Sequence, residues 1–229
     1  MNVGFKTYYA RLQAKELILP CNSGWRAYRF EVYPGVFKKI KDRVYSKEQL
    51  LKHLREFNPV NAYYSIAQFL NPTVINKRSD WIPENLFLKT DFVVDIDEKD
   101  LAKAKKIVRK AYLLLSKRFM KTPLIRFTGR GWHVVVEEAA WSNHCDPRER
   151  EVEWLSDLKE ATEFLVERGL EVDSQHNVTS DSRRIIKIPG TISHHGRVCR
   201  QIGLRELEFF EPETLFLVEK PVKLNEVLA

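Results

Sequence analysis

The stretch FVVDID, residues 92–97, decides the fold, because an apolar run ends there in two aspartates separated by one residue. Alternation along a β-strand puts Asp95 and Asp97 on the same face. Two neighbouring carboxylates repel each other unless a cation lies between them, and Mg²⁺ prefers such hard oxygen ligands. The motif therefore predicts either a site for divalent cations or, alternatively, an ordinary solvated strand end beside further charges.

The residues that follow this motif predict an α+β fold, since strands and helices mix without strict alternation. The motif closes a predicted strand over residues 86–96, which precedes a helix over 100–119 with its apolar face at Ala102, Ile107, Ala111, Leu114 and Leu115. Further along, the pattern predicts strands over 124–128 and 132–137, a polar loop over 140–150, a helix over 151–168 that Gly169 ends, strands over 171–178 and 184–188, and a helix or strand around 215–218.

The residues before the motif predict a smaller α/β part. Ser46 and Gln49 form a capping-box pattern that begins a helix, and Asn58-Pro59 ends it. A helix is also predicted within residues 1–20, with strands over 25–32, 36–41 and 62–69. We therefore predict one catalytic domain over 1–229, with an amino-terminal part over about 1–85, a central part over about 86–215 and a tail over 216–229.

Composition narrows the class of protein. The 229 residues are 44% hydrophobic and 30% charged, with a formal net charge of +7, which suits a globular protein with a polyanionic partner. Three widely separated cysteines argue against a disulfide framework. The amino terminus lacks a secretory pattern and the apolar runs are too short to span a bilayer. We expect a soluble, cytoplasmic protein.

A second motif, residues 128–133 (TGRGWH), lies between two predicted strands. Glycines let a backbone approach a ligand closely, and free N–H groups in a turn can bind an anion. Arg130 offers a planar fork to a phosphate, and His133 adds a donor. The alternative is a plain hairpin turn.

The third segment covers residues 173–195 and carries acidic and basic side chains together. A carboxylate here would complete a three-acid metal site. Four basic side chains are candidates for phosphate contacts: Arg184, Lys187, His194 and His195. The alternative is a charged loop that enters an edge strand.

In this order the three segments resemble the archaeo-eukaryotic primase superfamily, and in particular the small catalytic subunit of archaeal DNA primase. The stretches WRAY (25–28), NAYYSIA (61–67) and EFFEP (208–212) add to the resemblance, which covers about residues 5–215. It implies a primase-type catalytic core with mixed or antiparallel sheets, flanking helices and an active-site cleft between them.

The resemblance also implies chemistry. Such proteins join nucleoside triphosphates on template DNA with two Mg²⁺ or Mn²⁺ ions held by three acidic residues, of which Asp95 and Asp97 match the first two. It assigns nucleotide binding to Thr128, Arg130, His133, Arg184 and His194. Archaeal and eukaryotic primases usually work with a large subunit, which makes one a candidate partner.

Three departures from the family pattern affect these assignments. Gln175 occupies the usual position of the third acid, so Asp173 is the predicted substitute. Ser193 stands where a phosphate-binding histidine is expected, and His194 replaces it only if one residue is inserted. The cysteines lack a Cys-x-x-Cys pattern, so structural zinc is not expected.

These observations leave three hypotheses open. The first is a template-dependent nucleotidyltransferase, that is, a DNA primase or primase-polymerase. The second is a catalytically impaired relative that binds nucleic acid or nucleotide as a subunit of a replication or repair complex. The third is an unrelated basic α+β binding module.

Overall fold

The computed structural model describes residues 3–74, 87–141, 146–170 and 184–215. The helices in these ranges are α1 (Val3–Arg11), α2 (Lys47–Phe57), α3 (Leu101–Phe119) and α4 (Pro147–Glu167). The strands in these ranges are β1 (Tyr28–Tyr33), β2 (Val36–Lys39), β3 (Asn61–Ser65), β4 (Ala67–Phe69), β5 (Phe87–Ile96), β6 (Leu124–Phe127), β7 (Trp132–Trp141), β8 (Ile185–Lys187) and β9 (Arg200–Ile202).

The strands form two sheets in which every adjacent pair is antiparallel. The smaller sheet has the order β2-β1-β3-β8, and the larger has the order β4-β5-β7-β6-β9. Helices α3 and α4 pack on the larger sheet, and α3 contacts β5, β6 and β7. The predicted α+β fold with antiparallel sheets and flanking helices is confirmed.

The segment 62–69, predicted as one strand, is divided between the two sheets. The chain leaves the smaller sheet after Ser65 and enters the larger one at Ala67. Ile66 lies at the crossing, where its N–H donates to the Arg184 carbonyl at 2.9 Å and its carbonyl accepts from the Asp91 N–H at 3.1 Å. The prediction of a single strand was wrong because residues on both sides of the crossing are buried, so the apolar pattern shows no interruption.

A buried ion pair joins the sheets near this crossing. The Arg26 guanidinium donates to both carboxylate oxygens of Asp91 at 2.8 and 2.9 Å, and neither side chain is exposed. It also donates to the carbonyl oxygens of Ser65 at 3.0 Å and Ile66 at 2.8 Å. This satisfies the buried charge of Arg26 and fixes the crossing against β5.

Local predictions for the helices have mixed outcomes. The capping box of α2 is confirmed, since the Ser46 hydroxyl accepts from the Gln49 N–H at 3.2 Å. The predicted apolar face of α3 was wrong in part. Ala102 is exposed, and the residues that pack inward are Ala104, Val108, Ala111 and Leu115. These four residues follow the i, i+4, i+7, i+11 spacing of one helical face, and Ala102 lies outside that face.

The predicted loop over 140–150 was also wrong at both ends. Strand β7 continues to Trp141, and α4 begins at Pro147, where a proline fits the first helical turn because its missing N–H is not needed. The strand predicted over 171–178 lies outside the described residues, as do residues 216–218 of the element predicted near the tail. The two sheets do not divide at the predicted boundary near residue 85. Strand β4, which precedes residue 85, joins the larger sheet, and β8, which follows it, joins the smaller one.

Candidate functional site

The acidic pair and the glycine turn meet at one end of the larger sheet. Antiparallel pairing of β5 with β7 places Asp95 directly opposite His133. A Cβ atom added to Gly131 would lie only 2.8 Å from the Asp97 Oδ1 atom, so the turn passes immediately beside this carboxylate. The two motifs therefore form one site.

The Asp95 carboxylate lies between two nitrogen donors and a second acid. Its Oδ1 is 3.5 Å from His133 Nε2, and its Oδ2 is 3.5 Å from Arg184 Nη2. Burial and the charge of Asp97 raise the pKa of Asp95 to about 6, despite the opposing effect of Arg184 and Arg130. Asp97 is exposed. The site thus holds two carboxylates whose mutual repulsion a cation would relieve.

His133 is buried beneath the site. Burial is the main cause that lowers its pKa, to about 3, and the charges of Arg126, Lys187 and Arg184 act in the same direction. The imidazole is therefore neutral at physiological pH. Its Nδ1 atom has no hydrogen-bond partner within the described part of the chain. The ring lies beside Asp95 and is 8% exposed.

Hydrogen bonds within the turn fix its shape. The Thr128 hydroxyl accepts from the Gly131 N–H at 3.1 Å, and the Thr128 N–H donates to the Gly131 carbonyl at 2.9 Å. Gly129 has φ +91°, and a Cβ atom there would overlap the Ser193 hydroxyl. Glycine is required at this position for both reasons. Arg130 is exposed at the tip, and Thr128 is buried.

Basic side chains also gather near Asp95. Lys187 on β8 has a lowered pKa, first because of burial and also because of the charge of Arg130. Burial, His194, Lys187 and Arg130 lower the pKa of His195 to about 4. We call Arg130, Lys187, His194 and His195 the basic cluster. Their effects on one another show that positive charge is concentrated here.

The departure at Ser193 has a structural explanation. Ser193 is fully buried against Gly129, and its hydroxyl accepts from the His195 N–H at 3.3 Å. His194 is exposed, and its ring lies 3.8 Å from the ring of His195. The one-residue shift thus leaves serine to support the glycine turn and brings histidine to the basic cluster.

A cleft of about 470 Å³ adjoins the acidic pair on the side of α3. Asp95 and Asp97 line one wall, and Gly169 and Leu170, which follow α4, line another. Three lysines from successive turns of α3 complete the lining: Lys103, Lys106 and Lys110. Asp173 lies outside the described residues, and within them no group of three His, Cys, Asp or Glu side chains could hold a metal ion.

The sequence did not single out two residues that support the site. Arg126 is buried beneath His133 and donates to Gln201 Oε1 at 3.1 Å and to the Tyr64 hydroxyl. Asn61 on β3 contacts His194. Pairing of β6 with β7 puts Arg126 opposite His133, so alternation alone could have indicated its position. Asn61 gives no such indication, because its partner is 133 residues away.

The fold and the site together define a class. The chain shares its α+β fold with the polymerase domain of Mycobacterium tuberculosis ligase D, solved in complex with DNA, on which it superposes with a TM-score of 0.54. The superposition covers 92% of this chain and 84% of that one, at 12% identity. At this identity the likeness establishes the fold alone.

Sequence comparison gives more particular relatives. The chain is 25% identical to the DNA primase small subunit PriS of Pyrobaculum calidifontis over an alignment 275 positions long, which spans 97% of this chain and 83% of the relative. It is 26% identical to the protein of the same name from Aeropyrum pernix over 158 residues, which cover 64% of this chain and 44% of the relative. No family model matches the chain. These similarities support the primase superfamily.

Among the described residues, no helix is both long and apolar enough to cross a membrane.

Proposed function

We propose that this protein is a template-dependent nucleotidyltransferase of the primase type, which joins nucleoside triphosphates on DNA. The observation that carries the proposal is the position of Asp95 and Asp97 beside the glycine turn, with side chains of the basic cluster close to Asp95. Nucleotidyl transfer needs both parts, because carboxylates hold cations and basic groups hold the phosphates of the substrate. The DNA-bound polymerase domain and the relatives named primase small subunit support the same class of reaction.

The acidic pair has the donor chemistry that Mg²⁺ or Mn²⁺ requires. Two carboxylates supply hard oxygen ligands, and burial, followed by the charge of Asp97, raises the pKa of Asp95. Asp95 and Asp97 would hold the ions, with Asp173 as the third ligand in this proposal. Bound ions of this kind activate a hydroxyl nucleophile and neutralise charge on the phosphates.

The chain's own residues prepare the site for the reaction. Neutral His133 and Arg184 hold the Asp95 carboxylate from two directions at 3.5 Å. Arg130 projects from the turn, where its planar fork can bind two phosphate oxygens. Gly129 lies against Ser193, the residue before His194, so the turn that carries Arg130 is close to His194.

The partners follow from this arrangement. In this proposal the triphosphate of the incoming nucleotide binds at the basic cluster. Thr128 supports the turn, and Arg184 lies between Asp95 and the phosphates. Template DNA is the polyanion that the net charge of +7 suits. A primase large subunit is a further proposed partner, on the basis of the named relatives.

Primer extension and de novo synthesis test the proposal. Wild-type protein is incubated with ribonucleotides or deoxyribonucleotides, primed and unprimed templates, and Mg²⁺ or Mn²⁺. We expect metal-dependent incorporation that falls to background in Asp95→Asn and Asp97→Asn. Asp42→Asn is the matched control, because it removes a carboxylate that is 74% exposed and is expected to retain full activity.

Binding measurements separate the alternatives. Calorimetric titration of a nucleoside triphosphate is expected to show saturable binding that Arg130→Gln weakens about tenfold. DNA affinity is expected to fall steeply with added salt. Saturable binding without incorporation under any condition would favour the catalytically impaired relative. Neither binding nor incorporation would favour an unrelated basic module.

A further inference from the structure

Asn61 holds His194 through two hydrogen bonds. Its Oδ1 atom accepts from the His194 backbone N–H at 3.1 Å, and its Nδ2 atom lies 3.1 Å from His194 Nδ1. Asn61 is 2% exposed and sits on β3, so its side chain has little freedom to turn. The contact therefore fixes both the backbone and the ring of the histidine.

Two neighbours determine which end of the Asn61 amide is oxygen. The His194 backbone N–H can only donate, so the atom facing it is Oδ1. The Glu31 carboxylate can only accept, and its Oε2 lies 2.6 Å from the other end, which must therefore be the NH₂ group. The second hydrogen of that NH₂ group points to His194 Nδ1.

This assignment decides the protonation of the His194 ring. Nδ1 accepts a hydrogen bond from Asn61, so it carries no proton, and the proton of the neutral imidazole lies on Nε2. Burial, followed by the charge of Lys187, lowers the pKa of His194, which agrees with a neutral ring. The tautomer with Nε2–H leaves a donor directed away from Asn61.

We propose that Asn61 is a positioning residue that holds His194 in the Nε2–H tautomer so that Nε2 donates to a phosphate oxygen of the nucleoside triphosphate. The inference rests on the proposed function, since it deepens the role of the basic cluster. It also explains how His194 can take the role of the histidine that the family pattern has at the position of Ser193. Asn61 anchors the shifted residue, and Ser193 is left to support Gly129.

The test exchanges the amide and the carboxylate. In Glu31→Gln/Asn61→Asp the net charge is unchanged, and the carboxylate introduced at position 61 still accepts from the His194 backbone N–H. In this variant, however, a carboxylate oxygen replaces the NH₂ group opposite His194 Nδ1. An oxygen there can only accept a hydrogen bond, so the proton of the ring must lie on Nδ1. Glu31→Gln alone is the control for loss of the Glu31 carboxylate. The His194 backbone N–H by itself still fixes which end of the Asn61 amide is oxygen, so Asn61 keeps both of its contacts with His194.

Two measurements at pH 8 follow each protein. Nitrogen-15 NMR of histidine-labelled protein without nucleotide reports the tautomer, and His194→Ala identifies the signal among the 6 histidines. We expect Nε2–H in the wild type and in the control, and Nδ1–H in the exchanged variant. Calorimetry with a magnesium nucleoside triphosphate is expected to show a Kd about tenfold higher in the exchanged variant and within twofold of wild type in the control.

Distinct results would overturn the two proposals. An Nδ1–H signal in the wild type, or a changed tautomer with an unchanged Kd, would contradict the role of Asn61 while leaving triphosphate binding intact. Absence of triphosphate binding in the wild type would contradict the proposed function and remove the phosphate contact with it. Unfolding curves establish that the exchanged variant is folded, and a second variant, Asn61→Ala, is expected to weaken binding by a similar factor.

Discussion

Removal of the Arg26 side chain is expected to weaken the join between the two sheets. In Arg26→Met the Asp91 carboxylate would remain buried and would lose both of its bonds from the guanidinium. The carbonyl oxygens of Ser65 and Ile66 would lose a donor as well. Because the chain crosses from the smaller sheet to the larger one at these carbonyls, we expect the loss of the guanidinium to destabilise both sheets.

The structure allows the size of the effect to be worked out. Breaking a buried ion pair by removing one partner costs about 3–5 kcal/mol, and both side chains here have 0% exposure. This is a large share of the roughly 5–15 kcal/mol that stabilises a typical domain. In the double variant Arg26→Met/Asp91→Asn no charge is left buried, while the amide oxygen introduced at position 91 can still accept from the Glu138 N–H, as the carboxylate does in the wild type. We expect the double loss to be smaller than the sum of the single losses by about 2 kcal/mol.

Urea unfolding followed by tryptophan fluorescence measures the free energy of unfolding of Arg26→Met, of Asp91→Asn and of the double variant, each against wild type. The matched control is the exposed pair of Arg168 and Glu167, where Arg168→Met is expected to change the free energy of unfolding by less than about 1 kcal/mol. Strict additivity of the Arg26 and Asp91 losses, or a loss at Arg26 no larger than that of the control, would refute the reasoning.

Two other predictions concern the backbone turns and the acid stability. Gly129→Ala is expected to lower the free energy of unfolding more than Gly35→Ala does. Both glycines have a positive φ, which costs alanine about 1–2 kcal/mol, but only at Gly129 would the added methyl group also collide with Ser193. Equal losses would contradict the packing argument. Although burial raises the pKa of Glu138, hydrogen bonds from Lys89 and two amide side chains lower it to about 2. Since solvent screens this partly exposed carboxylate, we expect the free energy of unfolding of the wild type to fall by only about 1–2 kcal/mol between pH 4.5 and about pH 2. The fall should be smaller in Glu138→Gln. Parallel pH profiles of the two proteins would exclude this role of Glu138.

The parts of the site that are local in sequence could be predicted from it. An apolar run that ends in Asp95 and Asp97 indicates a strand with both acids on one face, and two glycines between apolar runs indicate a hairpin. The order of elements also predicted the α+β class, because strand and helix periodicities are set by near neighbours.

The remaining features depend on contacts between distant residues. The division of residues 62–69 between two sheets could not be predicted, because burial on both sides of Ile66 hides the change of partner. The contact of Asn61 with His194 arises from the position of β3 beside β8, which no local pattern reports. Ser193 likewise becomes interpretable only when it is seen against Gly129.

The passage of one continuous segment through both sheets has a consequence for motion. The peptide groups on either side of Ile66 bond to both layers, so separation of the layers would require these bonds to break together with the Arg26 contacts. We expect the amide protons of β3, β4 and β5 to exchange with deuterium as one cooperative unit. Under the proposed function, a nucleoside triphosphate would then enter a cleft of fixed width, and selectivity among nucleotides would come from rigid fit rather than from closure of one sheet over the other.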